Sequence, residues 1–346
     1  MRAITVRPGQ EGSLRVAEVP EPPAEMGAVL VQGLALGVCG TDREIAAGEY
    51  GWAPDGRHEL VLGHESLGRV LAAPDEAPVS EGDLVVGIVR RPDPVPCECC
   101  AAGRFDLCRN GRYTERGIKS IDGYGSERWR IEPDYVVRLD PRLERVGVLM
   151  EPTSVVAKAW EVAADALARA YVEPRTAVVT GAGPIGLLAA VIAVQQGLDV
   201  HVLDVVTEGP KPELVRDLGA TYHSESIAEI GVSPDVVLEC TGVGEVVLDA
   251  IAATAAPGVV CLTGVSPAGR KIAIDAGALN RTMVLENDAV IGSVNASRAH
   301  YEQAAEVLAR ADDAWLARLI TRRVSLDDSA AAFEKGGDDI KAVVEL

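Results

Sequence analysis

Apolar and polar positions divide the chain into two patterns. Over residues 1 to about 150, short extended runs such as GAVLVQGLAL and EGDLVVGIV are broken by Gly, Pro and Asp, which predicts an irregular β domain. The opening MRAITVRPGQ reads as its first strand. Around EPTSVVAKAWEVAADALARA the spacing becomes helical, with Val156, Trp160, Ala163 and Leu167 on one face. Strands and helices then alternate. TAVVTG, DVHVLD, DVVLECTG and GVVCLTG read as strands, and PIGLLAAVIAVQQG, KPELVRDLG and EVVLDAIAATAA as helices between them. That order predicts an α/β fold built of parallel βαβ units, a doubly wound parallel sheet with helices on both faces. After DAVIGSVNA comes a helix, RAHYEQAAEVLAR, and the terminal IKAVVEL is again strand-like. The expected boundaries are residues 1–155, 156–297 and 298–346, the last segment returning to the first domain.

VVTGAGPIGLL places Gly181-x-Gly183-x-x-Gly186 between a strand and a helix, with Pro184 and Ile185 inside the loop. Gly181 permits the tight turn, Gly183 lets the backbone approach a pyrophosphate, and Gly186 lets helix and strand pack closely. The helix N-terminus offers free N–H groups to the phosphates. A tight βα turn without a ligand is the plainer reading, and the acid that ends the next strand argues against it. Asp204 can accept hydrogen bonds from both ribose hydroxyls and repels a 2′-phosphate. The following VVTEGPKP has no arginine to hold one, so NAD is expected in preference to NADP.

Composition narrows the classes. The 346 residues suffice for two domains, and 48% hydrophobic residues with 35 glycines fit a globular α/β enzyme. There is no internal repeat and no apolar run long enough to span a membrane. The start lacks an apolar signal-peptide core, so a cytoplasmic location is expected. Acids outnumber bases 52 to 33, a net charge of -19, which argues against a nucleic-acid partner. The plain reading of this acidity is a solvated surface; a high-salt habitat is the alternative.

Chemistry-bearing residues cluster in the first region. GVCGTD supplies Cys39, LGHE supplies His64 and Glu65, and MEP supplies Glu151. Singly, a cysteine is commonly a small buried hydrophobe and a glutamate is commonly solvated. Together they offer a thiolate, an imidazole and two carboxylates, a set suited to tetrahedral Zn²⁺ with one exchangeable position. Four of the seven cysteines, Cys97, Cys99, Cys100 and Cys108, crowd into CECCAAGRFDLC. In a reducing compartment they read as metal ligands rather than disulfides.

With these motifs the chain resembles the zinc-dependent medium-chain dehydrogenase/reductase superfamily, and within it the microbial glucose 1-dehydrogenases. The likeness runs nearly end to end. GHE and GAGPIG mark the superfamily, while VRRP, ERGI and GSVNA are particular to the sugar dehydrogenases. The resemblance implies a GroES-like catalytic domain joined to a Rossmann domain, with the active site in the cleft between them. Cys39, His64 and Glu151 would lie on the catalytic zinc, and Glu65 would approach it directly or through a water. Thr41 would receive the substrate proton. Thr241, Val294 and Asn295 would join the glycine loop in holding the coenzyme, and Glu115, Glu151 and Asn295 would contact the sugar. Without the resemblance, Glu115 reads more readily as a surface salt bridge and Asn295 as a strand-end cap.

The superfamily often carries a structural zinc on ligands spaced C-x2-C-x2-C-x7-C. Here Cys97, Cys100 and Cys108 match the last three positions, and the first falls on Pro94. Three readings stand: a four-cysteine site using Cys99, a three-cysteine site completed by Asp93, Glu98 or water, and a metal-free lobe. The implied reaction is oxidation of an aldose at C1 by hydride transfer to NAD, giving an aldonolactone. Rival readings are a polyol, cyclitol or other secondary-alcohol dehydrogenase, and a non-catalytic NAD-binding protein. The expected partner is a small polyhydroxylated substrate, without nucleic acid or membrane, and the family suggests a homodimer or homotetramer.

Overall fold

A computed structural model describes residues 1–266, 271–337 and 339–346. The chain divides into two compact units, Met1–Glu151 with Ala296–Leu346, and Pro152–Asn295.

The first unit is built on strand Val29–Val38. Its sequence VLVQGLALGV is partly exposed at the start, at Gln32, and wholly buried at the end, as fits a strand that enters the core. One edge pairs antiparallel with Glu65–Ala72, and the other with Arg128–Ile131 and then Lys341–Glu345. Leu84–Gly87 and Val136–Arg138 extend the sheet on one side and Ile320–Ser325 on the other, seven strands in all. The terminal strand is therefore a direct neighbour of Val29–Val38, with Val343 opposite Gly37. Two three-stranded sheets flank it in the same unit. Arg15–Glu18, Arg2–Val6 and Leu60–Val61 form one; Arg90–Arg91, Thr114–Arg116 and Ser120–Ile121 form the other. The core packs Ile4, Leu36, Ile45 and Leu62 around Tyr124 and Trp129. These two rings meet edge to face at 4.8 Å, and the Tyr124 hydroxyl donates to the Ile88 carbonyl at 2.7 Å, which satisfies its buried polar end.

The second unit is one six-stranded sheet, all neighbours parallel. Its order is Thr221–His223, Asp199–Leu203, Thr176–Thr180, Val236–Glu239, Val259–Leu262, Ala289–Gly292. In chain order this is 3-2-1-4-5-6, the arrangement of dinucleotide-binding sheets, whose ligand crevice opens where the order reverses. The central strands Thr176–Thr180 and Val236–Glu239 are apolar and buried because helices cover both faces. Helix Pro184–Gln195 is apolar all round, and Gly186 through Ala193 are buried, as a helix packed on every side requires. The helix Met150–Ala168 buries the expected stripe of Val156, Trp160, Ala163 and Leu167, and Trp160 Nε1 donates to the Ala189 carbonyl at 3.1 Å. Among the described residues no helix is long and apolar enough to cross a membrane.

Candidate active site

Cys39 follows the central strand of the first unit and caps the next helix, Gly40–Ala46. Its backbone N–H donates to Asp42 Oδ2 at 3.0 Å, and its side chain receives the helix's third N–H, a reciprocal capping box. The other Asp42 oxygen, Oδ1, lies 3.2 Å from His64 Nδ1, and His64 Nε2 lies 3.1 Å from Cys39 Sγ. One buried carboxylate thus starts the helix and turns the imidazole so that its far nitrogen meets the thiol. An Asp–His pair of this kind fixes ring orientation and tautomer for metal ligation. Nothing in the sequence reading singled out Asp42; its signal was an acid three residues after a cysteine at a helix start.

Glu65 opens strand Glu65–Ala72 opposite Gly37. Its carboxylate is ion-paired with Lys341, which comes from the strand on the other side of Gly37; both side chains are 2% exposed. They meet across the glycine: a Cβ at position 37 would stand 2.0 Å from Glu65 Oε2 and 3.0 Å from Lys341 Cε. Cys39, His64 and Glu65 offer ligand atoms that all lie within 4.8 Å of one another. Glu151, in the first turn of helix Met150–Ala168, is not part of that set, although it feels the charges of His64, Glu65 and Lys341. Thr41 is half-buried at the second position of the helix that Cys39 caps.

The electrostatics of this cluster favour a bound cation. Burial pushes the Cys39 thiol up, with His64 opposing. Burial also pushes the Glu151 carboxyl up, to about 7. Burial opposes charge on His64, but Asp42 and Cys39 outweigh it and hold the imidazole well above its usual range. The anionic surroundings thus draw a proton onto the one basic ring among them, and a divalent cation would satisfy the same field. A buried thiol, imidazole and carboxylate in this grouping fit Zn²⁺.

Glu115 lies on strand Thr114–Arg116 and is buried, not on the surface. Arg90, on the neighbouring strand, donates to Glu115 Oε1 from Nε at 3.1 Å and from Nη2 at 2.9 Å. Arg90 is fixed in turn by the Asp106 carbonyl and by the Tyr113 ring, 3.8 Å from its guanidinium carbon. The carboxylate is thereby held in one orientation.

The cysteine lobe brings together three of its four thiols: Cys97, Cys100 and Cys108. Cys99 is outside the set, and the four-cysteine arrangement is not the one the structure forms. The reason is local. Cys97 caps the short helix Glu98–Ala101, so Cys97 and Cys100, three apart, share a face, while Cys99 is turned about 100° from Cys100. Arg109 donates its N–H to Cys97 Sγ at 3.4 Å; this and further backbone N–H groups hold the thiol at about 6. Burial pushes Cys100 to about 11. Asp93 is buried nearby, but its carboxylate accepts from Val95 N–H and Arg112 Nε.

In the second unit the strand Thr176–Thr180 ends at Gly181, whose φ of +89° suits glycine, and helix Pro184–Gln195 starts with Gly183 as its cap. A Cβ on Gly186 would stand 1.8 Å from the Gly181 carbonyl oxygen, so the close approach of turn and helix needs that glycine, whereas the space at Gly183 is open. Asp204 follows strand Asp199–Leu203, and its Oδ2 accepts the Ala182 N–H of the loop at 2.7 Å. Pro184 and Ile185 form the first helical turn. Thr241 is tied to buried Glu239, which accepts its N–H at 2.8 Å. Val294 is exposed, and its carbonyl accepts Nζ of buried Lys158 at 2.9 Å; Asn295 has a left-handed φ of +64°. A crevice of about 420 Å³ opens at the carboxyl ends of the strands, walled by Gly181, Asp204, Ser224, Ile227 and Thr241.

Comparison with known proteins accords with both units. Residues 25–141 match the family described as Alcohol dehydrogenase GroES-like domain, and residues 144–346 match Glucose dehydrogenase C-terminus. The chain is 38% identical to glucose 1-dehydrogenase of Methanocella arvoryzae and 39% identical to that of Thermoproteus tenax, in each case over 100% of this chain and 99% of the relative. Among solved structures, Haloferax mediterranei glucose dehydrogenase in complex with NADP, Zn and gluconolactone superposes with a TM-score of 0.91 at 34% identity, covering 100% of this chain and 99% of the other. A GroES-like unit and a dinucleotide-binding sheet in one chain define the medium-chain dehydrogenase class. Within that class the chain belongs to the glucose dehydrogenase family.

Proposed function

We propose that the chain oxidises C1 of a glucose-like aldose, passing hydride to a nicotinamide dinucleotide and releasing an aldonolactone. The observation that carries this reading is the buried Cys39–His64–Glu65 set in a chain matched over its full length by glucose 1-dehydrogenases. Cys39 and His64 would anchor the zinc, with Glu65 and Glu151 close to it. Bound there, zinc supplies Lewis acidity that lowers the pKa of the substrate hydroxyl. Thr41 takes the hydroxyl proton and passes it toward solvent. Glu115, fixed by Arg90, accepts hydrogen bonds from sugar hydroxyls, and a substrate without them would leave a buried carboxylate poorly satisfied. The C1–H bond breaks as hydride leaves for the coenzyme, and the carbonyl so formed is that of the lactone. The Haloferax relative was solved with NADP and gluconolactone; for this chain Asp204 favours NAD. In the cysteine lobe, Cys97, Cys100 and Cys108 would hold a structural zinc together with a fourth, non-cysteine ligand.

A screen of aldoses and polyols, each with NAD and with NADP, tests this reading. Reduction of coenzyme by glucose or a close epimer, with lactone as first product, is expected. Turnover of polyols alone would defeat it.

A further inference from the structure

Asp204 has a cationic partner that neither the glycine loop nor the coenzyme fingerprint requires. Lys211, at the second position of helix Pro210–Asp217, donates from Nζ to Asp204 Oδ2 at 2.9 Å. Both side chains are largely covered, 20% exposed for Lys211 and 9% for Asp204. The turn between them is braced. Val206 N–H donates to Asp204 Oδ1 at 3.2 Å, and the Tyr222 hydroxyl donates to the carbonyls of Asp204, at 3.3 Å, and Val206. The Arg216 guanidinium lies 5.9 Å from the Tyr222 ring. Lys211 is the only basic residue between positions 204 and 215. VVTEGPKP lacks an arginine, but it does not lack a cation, and the fold brings that cation to the carboxylate.

The consequence lies in coenzyme choice. A ribose with two free hydroxyls donates to Asp204. A 2′-phosphate cannot donate in that way and repels a bare carboxylate. Here the carboxylate is not bare: an ammonium sits on it, on a flexible four-carbon stem that can move to a phosphate oxygen. We propose that Lys211 is a second determinant of coenzyme choice. It screens Asp204 and pairs with the 2′-phosphate, so that NADP is a competent coenzyme and the preference for NAD is shallow. Glu225 lines the crevice and adds negative charge there, which keeps the balance on the side of NAD.

This inference rests on the glycine loop being the coenzyme site. Calorimetric titration of the zinc-loaded protein with NAD⁺ and with NADP⁺ tests it in wild type, Lys211→Met and Lys211→Arg. Wild type should bind both, NADP⁺ within about thirtyfold of NAD⁺. Lys211→Met should lower the ratio of NADP⁺ to NAD⁺ affinity at least about tenfold, and Lys211→Arg should keep it within about threefold. The NAD⁺ isotherm of each variant reports that its site is folded. A ratio unchanged in Lys211→Met overturns the role of Lys211 while leaving the coenzyme site in place. Binding of neither dinucleotide by wild type overturns the site and the inference together.

Discussion

Gly37 has no side chain, and that lets Glu65 and Lys341 form an ion pair across the central strand. Both partners are buried, so neither can fall back on water when the other is removed. In metal-free protein, Lys341→Met should cost about 3–5 kcal/mol of stability, measured by urea unfolding, because it strands a buried carboxylate. Adding Glu65→Gln should restore part of that loss. A single-variant loss below about 1 kcal/mol would mean that the pair stabilises the fold no more than an exposed one does. Cys39, His64 and the three loop glycines were legible from sequence because each sits in a short motif whose residue types are needed for one chemistry. Lys341 was not, because it meets Glu65 across 276 positions of sequence and only strand register brings the two together. Arg90 and Lys211 escaped for a related reason: a basic residue on an edge strand or in the first turn of a helix looks solvated until its partner is placed.

Among the elements, the strongly apolar ones were the readable ones. TAVVTG, PIGLLAAVIAVQQG and DVVLECTG lie where their patterns put them, because burial on both faces leaves few polar positions to confuse the period. Thr221–His223 was missed, being three residues of mixed polarity that are a strand only by pairing with Asp199–Leu203. Ile320–Ser325 was hidden by its exposed Thr321 and the two arginines that follow. Helix Ala276–Glu286 has no buried residue and so no apolar stripe to read. Thr221–His223 and Asp199–Leu203 are also joined by a histidine pair, His201 Nδ1 and His223 Nε2 at 2.8 Å. Burial, with His201, holds His223 below the usual imidazole range, against Glu225. A histidine so depressed binds its proton more readily when unfolded. The native state therefore keeps this stability above about pH 6.5 and loses it as pH falls toward the folded value. His223→Gln should accordingly lose less thermal stability than wild type between about pH 7 and about pH 5.5. An equal loss in both would remove the pair from the pH response. The cysteine lobe makes a separate prediction. Cys108→Ser should lower bound zinc from about two ions per chain to about one and lower the melting temperature, with KM for sugar nearly unchanged. About one zinc in the wild-type protein would mean a lobe that folds without metal.

At the scale of the whole molecule, a match to glucose 1-dehydrogenases over the full length, a dinucleotide-binding sheet order and a buried thiol–imidazole–carboxylate set point to one reaction. The net charge of -19 bears on none of these and reads as surface. The cluster around Cys39 is where the reaction stands or falls, since the same sheet and loop would serve a protein that only binds coenzyme. The direct measurement is glucose-dependent reduction of NAD by the zinc-loaded wild type and by Cys39→Ala, with bound zinc and NAD⁺ affinity measured on the same samples. Wild type should reduce NAD and form the lactone. Cys39→Ala should lose the metal from that site and at least about a thousandfold in kcat/KM, while its NAD⁺ affinity stays within about threefold. Turnover that survives in Cys39→Ala free of zinc at that site would contradict a zinc-dependent sugar dehydrogenase.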